Sequence, residues 1–150
     1  MPHFLIVTSP YYEEVSTNLL DGTKAFLDEK RASYEIVEVP GALEIPLAIK
    51  YGALRAQSRG VDTRGFDAYI ALGCVIRGET SHYDIVCNES ARGLSELSLS
   101  YNLPIGNGIL TCDTMDQAIV RSDPAQKNKG KDAASAAWSL FEMKRKWRIS

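Results

Sequence analysis

Short apolar runs alternate along this 150-residue chain with longer stretches of helical periodicity, and that alternation is its strongest constraint. The clearest unit runs from Tyr69 to Leu97. Tyr69, Ile70, Ala71 and Leu72 form an apolar run with no polar alternation, which predicts a strand covered on both faces. Tyr83, Val86, Cys87, Ser90, Leu94 and Leu97 recur at helical spacing and predict one inward stripe. Between them lie Arg77, Gly78, Glu79, Thr80, Ser81 and His82, a dense polar set for a simple connection. Open α/β sheets bind ligands at the carboxyl ends of their strands, beside helix N-termini, so chemistry is expected at this loop.

The same pattern predicts strands at Phe4–Thr8, Tyr34–Val39, Phe66–Val75 and Pro104–Thr111, the last weakened by Gly106 and Gly108. Helices are expected from about Glu13 to Lys30, from Leu43 to Ser58, from Ser81 to Leu99 and from Lys131 to Trp147. A shorter one, capped by Asp113 or Thr114, ends at Arg121. Pro46 fits its helix only because it falls in the first turn. Arg59–Gly65 and Asp123–Gly130 read as loops. Strand–helix alternation with short connections implies parallel strands joined by right-handed crossovers. The expected fold is α/β: a three-layer αβα sandwich around a four-stranded parallel sheet, flavodoxin-like, as a single domain over residues 1–150.

A net charge of −2 gives no nucleic-acid footprint, which needs a basic surface. No apolar run approaches the ~20 residues that span a bilayer, so no membrane partner is expected. MPHFLIVTSP lacks the basic lead and cleavage pattern of a signal peptide and reads as the first strand, in keeping with a cytoplasmic location. Cys74, Cys87 and Cys112 fall in predicted strands and helix, and read as small buried hydrophobes in a reducing compartment. Only His3 and His82 could join them around a metal, and no CxxC or HxxxH spacing exists, so no metal site is expected.

His82 is the best candidate for acid–base work. Thr80 or Ser81 can cap the helix it opens, with Asp84 as half of a capping box. A helix N-terminus disfavours imidazolium, so the imidazole there is expected to be neutral and able to exchange a proton; equally, it could only pack. Thr80, Ser81 and the N–H groups around Gly78 make an anion cradle, with Arg77 either part of it or paired with Glu79 or Glu89. Arg121 and Lys129 are further cations, each read singly as a solvated charge, with Arg121 placed on the ligand side. Gly41, after a strand, permits close backbone approach, and Glu44 stands where a helix begins. Tyr11 and Tyr12 follow the first strand, where an aromatic can stack on a planar heterocycle or cover the core.

Taken together, VPGALEIP (Val39–Pro46), ALGCVIRGETSHYDIVCNES (Ala71–Ser90), GNGILTCDTMDQAIVRS (Gly106–Ser122) and NKG (Asn128–Gly130) resemble the 6,7-dimethyl-8-ribityllumazine synthase family over nearly the whole chain. The resemblance implies a transferase of riboflavin biosynthesis that condenses 5-amino-6-ribitylaminopyrimidinedione with 3,4-dihydroxy-2-butanone 4-phosphate. It implies no cofactor and no metal. His82 matches the family's acid–base histidine, and Arg121 the arginine on the substrate phosphate, helped by Glu79 and Thr80. Tyr11 matches the aromatic that stacks on the pyrimidine; Ala42, Leu43 and Glu44 match the ribityl-binding segment. Val75, Ile76 and Arg77 match a strand end whose backbone reads the pyrimidine edge, and Asn107 and Lys129 match positions that approach from a neighbouring subunit.

There are departures from the family pattern. Leu43 stands where many members have Phe, Tyr11 where many have Phe or Trp, and Asn107 replaces a frequent Phe. A lost stacking partner weakens binding by ~1 kcal/mol. The N-terminal strand by which longer members join a neighbour's sheet is expected to be largely missing. The family assembles as pentamers or as icosahedral shells of pentamers. Shell-formers carry a GTKAG-like kink where this chain has Asp123–Lys127, DPAQK, so a homopentamer with active sites at subunit interfaces is expected over the sixty-subunit shell. A flavin-binding relative without turnover and a shell or scaffold role are the competing expectations.

Overall fold

The computed structural model describes residues 1–55 and 64–150. The expected end of the second helix and most of the Arg59–Gly65 loop lie outside the described residues. Four strands form one parallel sheet: β1 (His3–Thr8), β2 (Ser33–Glu38), β3 (Ala68–Ile76) and β4 (Ile105–Cys112), in the order β2-β1-β3-β4. Helices α1 (Glu13–Glu29), α2 (Ile45–Arg55), α3 (His82–Tyr101), α4 (Met115–Ser122) and α5 (Lys129–Lys146) connect or follow them. The expected αβα sandwich is therefore present.

The strand period of two divides the core into its two halves. Phe4, Ile6, Ala68, Ile70 and Leu72 face α1 and α5, packing with Leu19, Leu27, Ala134 and Ala137. Their neighbours Leu5, Val7, Tyr69 and Ala71 face α2 and α3, with Ile45, Ile49, Leu94 and Leu97. An unbroken apolar run is what a strand sealed on both faces requires.

β4 is not a weakened strand. Its glycines are the means by which α5 seats on the sheet. A Cβ at Gly106 would lie 1.9 Å from the Ala133 carbonyl oxygen, and one at Gly108 would lie 2.8 Å from Leu72 Cδ2 and 3.0 Å from Ala133 Cβ. α5 also begins at Lys129, two residues before the expected start. Asn128, at φ 48°, ends the preceding turn in the left-handed region. Gly130 packs on α1, where its own Cβ would sit 2.1 Å from the Leu19 carbonyl, and its carbonyl accepts from Thr23 Oγ1 at 2.9 Å.

The second helix is preceded by a 3₁₀ turn, Ala42–Glu44, and the α-helix proper starts at Ile45 with Pro46 in its first turn, where a missing N–H costs nothing. Gly93 on α3 lets Pro46 approach, since a Cβ there would meet the proline ring at 2.9 Å. At the far end of the strands, His3 Nδ1 contacts Ser33 Oγ at 2.7 Å and its Nε2 contacts Glu35 Oε2 at 2.9 Å. Arg55 grips the same carboxylate with two bonds of 2.8 and 2.9 Å. Those bonds, Arg55 first and His3 second, hold the Glu35 carboxyl down at about 2 against an ordinary 4.5.

Two outcomes follow from this packing. Gly106→Ala should cost at least ~3 kcal/mol in urea denaturation at fixed protein concentration, because the new methyl meets backbone rather than a movable side chain. For Glu35 the folded pKa is depressed, so its contribution is complete above the ordinary value of 4.5 and is lost as pH falls towards 2. With the side chain 40% exposed, screening limits that contribution to ~1 kcal/mol. Glu35→Gln should lose about that much at pH 7 and shallow the acid slope, measured by denaturation midpoints between pH 7 and pH 3.

Candidate active site

The early end of β1 opens the site. β1 stops at Thr8, two residues before Pro10, and β2 stops at Glu38, two residues before Pro40. The last rung on this side of β3 is Ser9 N–H to the Leu72 carbonyl, 2.9 Å. β3 runs on through Gly73–Ile76, paired only with Ile109–Cys112 of β4. Backbone groups alternate sides along a strand, and Arg77 N–H donates to the Cys112 carbonyl at 2.9 Å on the β4 side. The N–H and C=O groups of Cys74 and Ile76 therefore point the other way, into the space that β1 vacates.

That space is a cavity of about 520 Å³. Cys74, Val75 and Ile76 form its back, and Pro40 with the Gly41–Glu44 turn forms one wall. Gly78, Thr80, His82 and Tyr83 form another, and Tyr11 and Tyr12 close a third. Tyr11 is 74% exposed and meets Tyr12 edge-on at 4.9 Å between centroids, leaving a face free to cover a flat ligand. Ala42 is buried at the turn, whereas Leu43 is half exposed. No atom lies within 4 Å of where a Gly78 Cβ would stand, so space is open beside that backbone.

The structure thus brings together Tyr11, Ala42, Leu43, Glu44, Val75, Ile76, Thr80 and His82. The histidine opens α3, but the expected capping box does not form. Ser81 adopts helical backbone angles, φ −72° and ψ −1°, where its hydroxyl cannot reach back to the free N–H groups. Thr80 Oγ1 accepts from His82 N–H instead, at 3.3 Å. Asp84 faces Arg77 at 3.7 Å. Arg77 pairs with neither Glu79 nor Glu89: its Nε donates to Asp113 Oδ1 at 2.9 Å, and Glu89 is taken by Arg92 on its own helix. The capping of α4 falls to Thr114, whose hydroxyl accepts from Gln117 N–H, leaving Asp113 free for Arg77.

Neither the Arg77 side chain nor Glu79 lines the cavity, and neither do Asn107, Arg121 or Lys129 of the same chain. Asn107 is exposed on edge strand β4, accepting from Ile109 N–H at 2.9 Å. Arg121 donates to the Gln117 carbonyl at 3.2 Å, and Lys129 pairs with Asp132 at 3.2 Å. Ser9, Cys74 and Val86 line the cavity without having been named as site residues from the sequence, and Pro40 lines it beside the Gly41–Glu44 turn. Ser9 stands where a strand ends, which is the signal that could have found it.

Residues 2–145 match the sequence profile of the family described as 6,7-dimethyl-8-ribityllumazine synthase. A protein of that name from Methylocella silvestris is 51% identical over 144 residues, covering 96% of this chain and 86% of its own length. Its counterpart in Agrobacterium fabrum is 48% identical over 145 residues, covering 97% and 96% respectively. A Rhizobium meliloti protein named 6,7-dimethyl-8-ribityllumazine synthase 1 is 46% identical over 144 residues, with 96% and 92% covered. The chain belongs to the 6,7-dimethyl-8-ribityllumazine synthase family.

The protein is accordingly a transferase with lumazine synthase activity in riboflavin biosynthesis. Among the described residues of the synthase, no helix is long and apolar enough to cross a membrane. Its three cysteines are free, with Cys112 buried but Cys74 and Cys87 only half-buried, because Cys74 sits on the cavity side of the β3 tail. Burial, with Cys112 and Cys87 adding to it, pushes the Cys74 thiol up to about 12. Burial also raises the thiols of Cys87 and Cys112 and the phenols of Tyr12 and Tyr83. The Cys74 thiol and the Tyr12 and Tyr83 phenols on the wall therefore stay protonated at neutral pH. Because the thiolate is the reactive form, native Cys74 should be alkylated by iodoacetamide at pH 8 at least ~100-fold more slowly than in urea. Peptide mass mapping after timed quenching reads this out, and equal rates in the two states would contradict the burial argument.

Proposed function

We infer that the cavity at the β3 tail is where the two substrates condense. The observation that carries this reading is the half-unpaired strand end beside His82. The edge of a pyrimidinedione alternates N–H and C=O groups, which suits the outward-facing groups of Cys74 and Ile76. Tyr11 covers the ring, and Ala42, Leu43 and Glu44 hold the ribityl chain, with the Glu44 carboxylate accepting from its hydroxyls. Arg77 contributes through its backbone at the same strand end. Thr80 and the adjoining Glu79 segment meet the phosphate beside the N-terminus of α3, where free N–H groups favour an anion.

In the reaction, an amine of the pyrimidine attacks the ketone and water leaves, giving a Schiff base. Phosphate is then eliminated, and the neighbouring amine closes the second ring with loss of another water. His82 moves the protons. Holding the substrates in register supplies much of the acceleration, and no cofactor or metal is required.

The site is completed by a second copy of the chain. Arg121, Lys129 and Asn107 lie outside the cavity of their own chain, so a neighbour is their route to a substrate. Exposed apolar residues support such assembly: Leu47, Tyr51 and Leu54 recur along one side of α2, and Leu99 is 84% exposed on α3. A homopentamer is the proposed assembly. Supporting it over a sixty-subunit shell, Asp123 and Pro124 lead a turn in which Asp123 Oδ1 accepts from Ala125 N–H at 2.9 Å, in place of the shell-formers' kink. The protein is read as one domain acting in the cytoplasm, in keeping with three unpaired cysteines.

Arg121→Ala should remove most lumazine-forming activity and His82→Ala a smaller part, by steady-state absorbance. The two impaired variants, unfolded together in equal amounts and reassembled, should form about a quarter of their sites with both residues intact, and so exceed the mean activity of the separate variants, if each site draws His82 and Arg121 from different copies. No recovery in a mixture that sediments near five subunits would overturn the shared site.

A further inference from the structure

The segment that carries Thr80 and His82 is thinly held. Ser81 makes no capping bond, Gly78 has open space beside it, and Thr80, Ser81 and His82 are all exposed. Something must nevertheless fix where the first turn of α3 begins, because a proton-transferring imidazole has to stand within hydrogen-bond reach of the reacting atoms. The next residue, Tyr83, supplies a handle. Its ring forms part of the cavity wall and lies beneath the Arg77 guanidinium, 4.3 Å from ring centroid to the central carbon.

We propose that Arg77 and Asp113 are positioning residues of the synthase: Asp113 holds the Arg77 guanidinium over the Tyr83 ring, and that contact sets the placement of His82. This rests on the reading of the cavity as the condensation site. Arg77 is fixed at both ends. Its N–H continues the β3–β4 ladder to the Cys112 carbonyl, and its Nε reaches Asp113 Oδ1 at 2.9 Å, with Asp84 at 3.7 Å. Asp113 is itself tethered, its backbone N–H donating to Gln117 Oε1 at 2.8 Å in the first turn of α4. The chain of contacts therefore joins the turn after β4 to the turn after β3. A planar, delocalised cation is needed in the middle, since an ammonium cannot both stack broadly on a ring and present a fork to a carboxylate.

Magnitude decides what such a device can do. The side chains of Arg77, Asp84 and Asp113 are 50%, 58% and 63% exposed, and ion pairs in that setting add little to folding stability. Their removal should leave the fold intact and act on turnover.

The test is steady-state kinetics of the assembled enzyme with both substrates, together with urea midpoints. Asp113→Asn is expected to lower kcat by about three- to tenfold, with both KM values within about twofold and an unchanged midpoint. Asp113→Glu, which restores the charge, should recover at least half of the wild-type kcat. Arg77→Lys should match the loss in Asp113→Asn, and the double variant should lose no more than either single one, as members of one contact chain do. Unchanged kcat in Asp113→Asn, multiplicative losses in the double variant, or a loss that follows a lowered midpoint would each overturn the proposal. His82→Ala measured alongside separates the two levels: full activity there refutes the site itself. A defect in His82→Ala with none in the Asp113 and Arg77 variants refutes only the positioning role.

Discussion

The unequal length of neighbouring strands is the constraint on which the rest of this protein depends. β3 is paired with β1 as far as Leu72 and with β4 as far as Ile76. Parallel pairing sends every strand end to the same side, so the early end of β1 at Thr8 leaves the flank of β3 beyond Leu72 bare. A bare strand edge is costly when it is buried and useful when it faces a ligand, because its N–H and C=O groups must be satisfied by something. Here the vacated space is cavity, and on the proposed function the bare groups are its recognition surface. The pocket is therefore less an addition to the fold than a consequence of where β1 ends.

For that edge to be useful it must not move, and close packing of small residues secures it. Gly106, Gly108, Ala133 and Ala137 bring α5 against β4, while Gly130 brings the start of α5 against Leu19 of α1. Contact between backbones leaves no slack for side chains to take up, so the outer strand that supports the β3 tail is fixed by sterics as well as by its ladder to β3. Pro46 against Gly93 does the same for the turn carrying Ala42, Leu43 and Glu44. The rigid frame around the cavity thus owes much to close contacts that leave no room for a side chain.

Much of this was legible in the sequence, and the gaps have physical causes. Apolar runs without alternation gave the parallel sheet, because a strand sealed on both faces has no polar face to show. The polar stretch from Arg77 to His82 pointed to the site through the general rule that ligands gather at strand ends. Glycine misled: in β4 it reads as a weak strand former, whereas Gly106 and Gly108 are demanded by the closeness of α5, a tertiary fact that single-chain propensity does not contain. The partner of Arg77 was missed for a similar reason. Glu79 and Glu89 are near in sequence, but Asp113 is near in space, delivered by the parallel neighbour β4. The Ser81 capping box failed because capping needs extended backbone at that residue, and the tight turn imposes helical angles there.

The division of labour between core and mouth also accounts for the exposure of the segment proposed to be catalytic. On that proposal His82 cannot be sealed into the core without closing the route by which substrates enter, so its surroundings must be polar, open and individually weak. Weak exposed contacts order a segment only when each is anchored to something stiff. Arg77 is anchored to the β3–β4 ladder and Asp113 to the first turn of α4, so their meeting is the meeting of two rigid bodies through one guanidinium. The same logic reaches beyond one chain. Arg121 and Lys129 sit on α4 and at the start of α5, elements packed on β4, and neither lines the cavity of its own chain. On the proposed assembly, a second copy offers cations from its own rigid elements, and a substrate phosphate would be the point at which the two frameworks are brought into register.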